Sequence, residues 1–387
     1  MRGITPILTF PRPEGKGKVG PPTFILCGAI STWHMGVYPR QGVFKVTTHA
    51  ATGTYTLEYV KTIGLTTNQN GRGFVNPYDV AFSKDGRIFV LNHCDSARKN
   101  LMRVGICNFD EEYLGEFGKG GGTADDQFSS PVAMAFDSKD RIYITDELHH
   151  RVTIFDSAGN YLNKWDTAGS GDGEFNGPAG IAVDAQDNVY IVDQHNSRVQ
   201  KFDSNGAYIT QWGEAGSGPS QFNLPWGIGV DASGQVYVAD WRNDRIQKFT
   251  SDGQHLASFG QAGEGDGQFY RPSGVAVDSD GYIYVADWGN ERVQVLAPDG
   301  SFQKMLKGEA TLSKWAHDYL NVNLEEKQTR AISNLIPELP PQYNTPHQIS
   351  SQTEPYFWGP VSVRLDGDGR LYVTETNRHR IQIYQRS

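Results

Sequence analysis

Cysteine is scarce: Cys27, Cys94 and Cys107 are the only three in 387 residues. Their number is odd and no C-x-x-C spacing occurs, which argues against a disulfide framework and a thiolate zinc site. There is no run of about 18 apolar residues, so no membrane-spanning helix is encoded. The opening MRGITPILTFPRPEGKGK is broken by prolines and lacks the apolar core of a secretory signal. A cytoplasmic protein with no membrane partner is the expectation. Basic residues are outnumbered, 35 Lys and Arg against 44 Asp and Glu, for a net charge of −9. That balance speaks against nucleic acid as a partner. G-x-S-x-G and H-E-x-x-H are both missing, which removes a serine-hydrolase elbow and a helix-borne zinc-protease site.

Glycine, by contrast, is plentiful at 44 residues, and aromatics make up 12%. The glycines punctuate a repeat. FNGPAGIAVDAQDNVYIVDQHNSRVQKFD, FNLPWGIGVDASGQVYVADWRNDRIQKFT and FYRPSGVAVDSDGYIYVADWGNERVQVLA are successive copies. Pro131, Pro178, Pro225 and Pro272 recur every 47 residues. An earlier copy starts at Pro77 and a last one at Pro360; the last lies 88 residues after Pro272, leaving 41 residues beyond the regular period. Each copy reads as four short strands rich in Val, Ile, Tyr and Phe. In the third copy these fall at 179–184, 188–193, 198–203 and 208–213. The sixth copy stops after three strands, and a matching fourth lies near the other end, at 56–64 (TLEYVKTIG). Pairing the two closes a ring. The expected fold is all-β: a six-bladed β-propeller with N-terminal strand closure and a helical insertion between blades five and six. The domain division is an N-terminal arm over 1–53 and the propeller over 54–387, with the insertion at about 307–356.

Phe-x-x-Pro, V-Y-V-x-D, N-x-R and V-Q-K-F together resemble the NHL repeat family. That resemblance implies a propeller but leaves function open, since such propellers include lyases, ligand sensors and scaffolds. The chain is distantly similar to peptidyl-α-hydroxyglycine lyase-type propellers, which hold zinc through a histidine directly after the blade-starting proline. The matching residues here are Tyr78, Val132, Ala179, Trp226, Ser273 and Val361, and none is histidine. That zinc site does not carry over.

Repetition explains several tempting motifs. An acid stands five residues before an arginine in Asp146/Arg151, Asp193/Arg198, Asp240/Arg245, Asp287/Arg292 and Glu375/Arg380. A pair found in five places reads as a strut, not a catalytic site. Asp366-Gly-Asp-Gly falls where every blade has its first hairpin, so a turn is expected there in place of a calcium loop. The glycine loops 169–175 and 263–269 lack the Lys-Ser/Thr of a nucleotide loop.

Departures from the consensus carry the functional reading. They cluster in the second-to-third and fourth-to-first strand loops, which share one end of a propeller. His93, His149, His195 and Arg242 are the candidate catalytic residues, the histidines as bases and the arginine as an anion clamp. Tyr78, Asp79, Trp226, Trp241, Trp288 and Arg378 are the candidate ligand contacts. A divalent metal, zinc or calcium, is conceivable on His93, His150, His195 and Glu147, with Asp79 or Asp95 in reserve. Helical spacing of Leu312, Trp315, Ala316, Tyr319 and Leu320 suggests a lid over the mouth. The expectation is an enzyme acting on a small molecule, a lyase or hydrolase; the alternative is a non-catalytic binding scaffold. A homo-oligomer is compatible with either.

Overall fold

The computed structural model describes residues 55–67, 69–94, 98–118 and 120–387. The N-terminal arm and Asp95 lie outside them. Six four-stranded antiparallel sheets follow one another, and the sixth has strand order Leu57–Ile63, Arg380–Arg386, Arg370–Glu375, Pro360–Leu365. The early strand pairs antiparallel with the last, Leu57 opposite Arg386 and Ile63 opposite Ile381. Ser387 N donates to Thr56 O at 3.4 Å, so the two ends of the propeller meet. The expected closure is present, and the third blade has strands Pro178–Val183, Val189–Asp193, Arg198–Phe202 and Tyr208–Trp212.

The first strand of each blade lies innermost. These strands touch in sequence around the axis, and blade six returns to blade one. The core sits between blades. The phenylalanine three residues before each blade-starting proline (Phe74, Phe128, Phe175, Phe222, Phe269 and Phe357) is buried at every junction. Each contributes about 1.5–3 kcal/mol by leaving water. Glycine lets the inner strands approach closely. A Cβ on Gly180 would lie 2.4 Å from Trp226 O, and one on Gly227 would lie 2.4 Å from Ser273 O.

The repeated acid–arginine pair is a strut with a second task. Arg198 Nε donates to Asp193 Oδ2 at 2.8 Å, while its Nη atoms cap the carbonyls of Ser170, Gly171 and Glu174, each at 2.8 Å. The arginine thus ties the glycine loop to its blade. Blades four, five and six repeat the ion pair. Blade two departs from the expectation. His149 Nδ1 lies 3.1 Å from Asp146 Oδ2, and Arg151 instead reaches the carbonyls of Ala124 and Gln127. At the first hairpins, Tyr190 donates to Asp184 at 3.0 Å and Tyr372 to Asp366 at 3.0 Å. Asp366 also accepts from Asp368 N and Arg370 N, which makes it a turn anchor.

The insertion forms three helices: α1 (Lys314–Val322), α2 (Leu324–Ile332) and α3 (Pro346–Gln352). They do not roof the axis. Trp315 of α1 enters the seam between blades six and one, 5.5 Å from Phe74 and within a cluster containing Ile63, Val80 and Ile383. Its indole N–H donates to Glu111 O, and Ser313 Oγ donates to Gly64 O at 2.6 Å. Helix α2 buries none of its residues. Helix α3 packs on the turn at Trp288–Asn290 of blade five. Among the described residues, no helix is long and apolar enough to cross a membrane.

Candidate functional site

In five blades the start of the first strand lies opposite the end of the second: Pro77 opposite Asn92, Pro131 opposite Asp146, Pro178 opposite Asp193, Pro272 opposite Asp287 and Pro360 opposite Glu375; blade four pairs in the same antiparallel sense from Ile228 opposite Val238. The fourth-to-first and second-to-third loops therefore emerge at one end of the axis, and that end carries the irregular residues.

The axial channel beneath is nearly filled. Its free volume is about 20 Å³, room for a water molecule and not for a substrate. Its lining includes Tyr78, Asp79, Trp226, Ser273, Val361 and Arg364, and no residue of the insertion contributes. Asp79, expected to touch a ligand, is buried and occupied. It accepts from Arg364 Nε at 2.9 Å, from Arg364 Nη2 at 2.6 Å and from Met134 N at 2.9 Å. Burial opposes the charge on Arg364, but the Asp79 carboxylate outweighs it and raises the guanidinium above its ordinary value. This cross-axis pair ties blade six to blades one and two.

The histidines divide by role. His93 is buried, stacked on Tyr78 with ring centroids 4.0 Å apart, and its Nδ1 lies 2.9 Å from Pro131 O. A carbonyl only accepts, so Nδ1 carries the proton and Nε2 keeps its lone pair. Burial lowers the His93 pKa, against the raising influence of the Pro131 carbonyl, Glu147 and Asp146. His149 holds Asp146 and is a strut. Burial would raise Asp146, but the His149 contact and the N–H groups of Ser129 and Ser130 outweigh it and keep the carboxyl below its usual range. His150 Nδ1 accepts from Gly177 N at 3.0 Å, as His379 accepts from Asn76 N (2.9 Å) and Asp244 from Arg271 N (2.7 Å). In blades two, four, five and six this position therefore staples the blade to the next.

His195 is different. Half-exposed in the second-to-third loop of blade three, it places Nε2 3.5 Å from the buried Glu147 Oε1. Glu147 is also approached by Ser130 Oγ at 3.4 Å. Two of the expected metal ligands thus meet, with His93 close enough to feel the same carboxylate. His150 is turned to Gly177. Among the described residues, no three His, Cys, Asp or Glu side chains gather as a metal-ligand set.

Blades four and five supply an aromatic wall. Trp241 and Trp288 have centroids 6.4 Å apart. Arg242 is exposed, 5.7 Å over Trp241, and Arg271 lies 4.7 Å over the same ring and 5.2 Å over Tyr270. Arg378, expected as a ligand contact, instead donates to Ser350 O at 2.7 Å and to Thr353 O at 3.2 Å. Burial and the nearby Arg380 lower it to about 10.

Sequence reading passed over Arg364 and Arg271. Arg364 was detectable: it stands where other inner strands carry Ala81, Ala135, Ala182 and Ala276.

Comparison with known proteins agrees with this architecture. A family described as a 6-bladed beta-propeller matches residues 123–203, and the NHL repeat matches 222–249, 269–296 and 357–384. No curated protein matches the chain. Among solved structures, a streptogramin B lyase is similar at 13% identity, covering 86% of this chain and 98% of its own, with a TM-score of 0.51. The virginiamycin B lyase of Staphylococcus aureus is similar at 14% identity, 86% and 99% coverage and a TM-score of 0.50. An auxiliary nutrient binding protein from Bacteroides thetaiotaomicron is similar at 12% identity, 85% and 76% coverage and a TM-score of 0.56. At such identities the likeness is one of fold. The chain is a six-bladed β-propeller carrying NHL repeats.

Proposed function

We propose that the protein binds a small ligand at the loop-bearing end of the propeller and acts on it by acid–base chemistry, as a lyase or hydrolase. One observation carries this reading: the buried Glu147 carboxylate lies beside the half-exposed imidazole of His195. A carboxylate beside a histidine fixes which ring nitrogen is left to take a proton. His195 is then the base, and Glu147 is its positioning residue. Trp288 offers a ring face to an apolar or aromatic part of the ligand, with the buried Trp241 backing it, and Arg242 offers charge to a carboxylate or a developing oxyanion. Solved structures similar in fold include lyases and a nutrient binding protein, and fold alone does not choose between them.

The small free volume of the channel favours a second reading, a binding module whose ligand rests on the rim. The two separate in one experiment. Wild type, His195→Ala and Trp241→Ala are incubated with a panel of lactones, esters and cyclic peptides. Product is followed by mass spectrometry and binding by tryptophan fluorescence. Catalysis predicts that His195→Ala keeps binding and loses about 10²- to 10⁴-fold in turnover, while Trp241→Ala loses binding. Equal turnover in wild type and His195→Ala overturns the enzymatic reading.

A further inference from the structure

A second pocket lies away from the axis, between the second-to-third loop of blade five and helix α3. Its volume is about 260 Å³. Every blade has such a loop, and in blade five helix α3 returns across it. Apolar walls come from Met305, Pro346, Ile349 and Tyr356, and the opening carries Glu264 and Lys307.

The walls are fixed by groups with other work. Arg292 Nε binds Asp287 at 2.7 Å, and its Nη atoms bind Glu264 O at 2.6 Å and Gly265 O at 2.9 Å, which holds the Glu264 loop. Glu291 binds His347 Nδ1 at 2.7 Å and so clamps α3 to the blade. Thr345 and Gln348 cap the helix reciprocally. Glu264 and Lys307 do no such work. Both are exposed, and neither side chain makes an ion pair among the described residues.

We infer that this pocket binds a free apolar α-amino acid. A ligand must match one negative and one positive group beside an apolar chamber, and a zwitterion with a hydrocarbon side chain does so. Its ammonium faces Glu264, its carboxylate faces Lys307, and its side chain enters between Met305, Ile349 and Tyr356. The volume lies below the range of pockets for drug-sized ligands, which suits a molecule of this size.

Calorimetry tests the proposal on the full chain. The probes are L-leucine, L-methionine and L-phenylalanine, with L-leucinamide and N-acetyl-L-leucine as analogues lacking one charge. Leucinamide and N-acetyl-leucine should bind at least about tenfold more weakly than leucine. Lys307→Gln should erase the preference for leucine over leucinamide, and Glu264→Gln the preference over N-acetyl-leucine. Both sites are exposed, so folding is spared. Ile349→Trp, which fills the chamber, should abolish binding. No binding of any of the three amino acids overturns the proposal. So does equal binding of leucine and its analogues, or unchanged binding in Ile349→Trp.

Discussion

His93 shows how a residue that looks catalytic in sequence becomes structural in place. Its ring is stacked on Tyr78 and bonded to Pro131 O, so it joins blade one to blade two. Burial penalises its cation and depresses its pKa below the ordinary 6.5. The unfolded chain takes up a proton there that the folded chain refuses, so stability is lost as pH falls below about 6.5. Urea unfolding of wild type and His93→Gln between about pH 7.5 and 5.5 checks this, and the variant should show the flatter profile. An equally steep profile in both would assign the pH dependence elsewhere. The substitution of His149 for the repeated asparagine is of the same kind. Asn196, Asn243 and Asn290 each donate to the strut aspartate, and His149 does their work. Aligning the copies reveals that substitution, whereas counting histidines at the mouth does not.

At the scale of elements, strands and their closure were legible because each blade repeats the same local code. Short β-branched runs, an Asp turn and a Phe-x-x-Pro recur at a fixed period, and every copy reinforces the others. The destination of the insertion was not legible. An apolar stripe says that a helix face will be buried, not where. Trp315 found its slot between blades six and one, formed by segments some 210 to 250 residues earlier and by strands that follow it. Removing that indole should cost about 3–5 kcal/mol by leaving a cavity at the seam. Thermal or urea unfolding of Trp315→Ala measures the loss, and a change under about 1 kcal/mol would mean that α1 is only draped on the surface. Helix α2 carries apolar side chains in water, with Ile332 88% and Leu324 61% exposed.

For the whole molecule, the tightest constraint is on the axis. Asp79 and Arg364 replace small residues on the inner strands of neighbouring blades, and each makes sense only through the other. Their pairing fills the bore and moves any ligand chemistry outward to the loops. Breaking it by Asp79→Ala leaves a desolvated guanidinium and should destabilise the fold by about 3–5 kcal/mol. The double variant Asp79→Leu/Arg364→Met should recover most of that. Additive losses in a double-mutant cycle would show that the two residues act independently.

Joining Leu57–Ile63 to Arg380–Arg386 also imposes an order of events during synthesis. The earliest strand of the propeller to leave the ribosome has its partner among the latest. Five blades can form as they emerge, but that first strand must wait as an unpaired edge for more than three hundred residues. Holding it harmless meanwhile is a demand on the nascent chain, and the finished ring bears no trace of it.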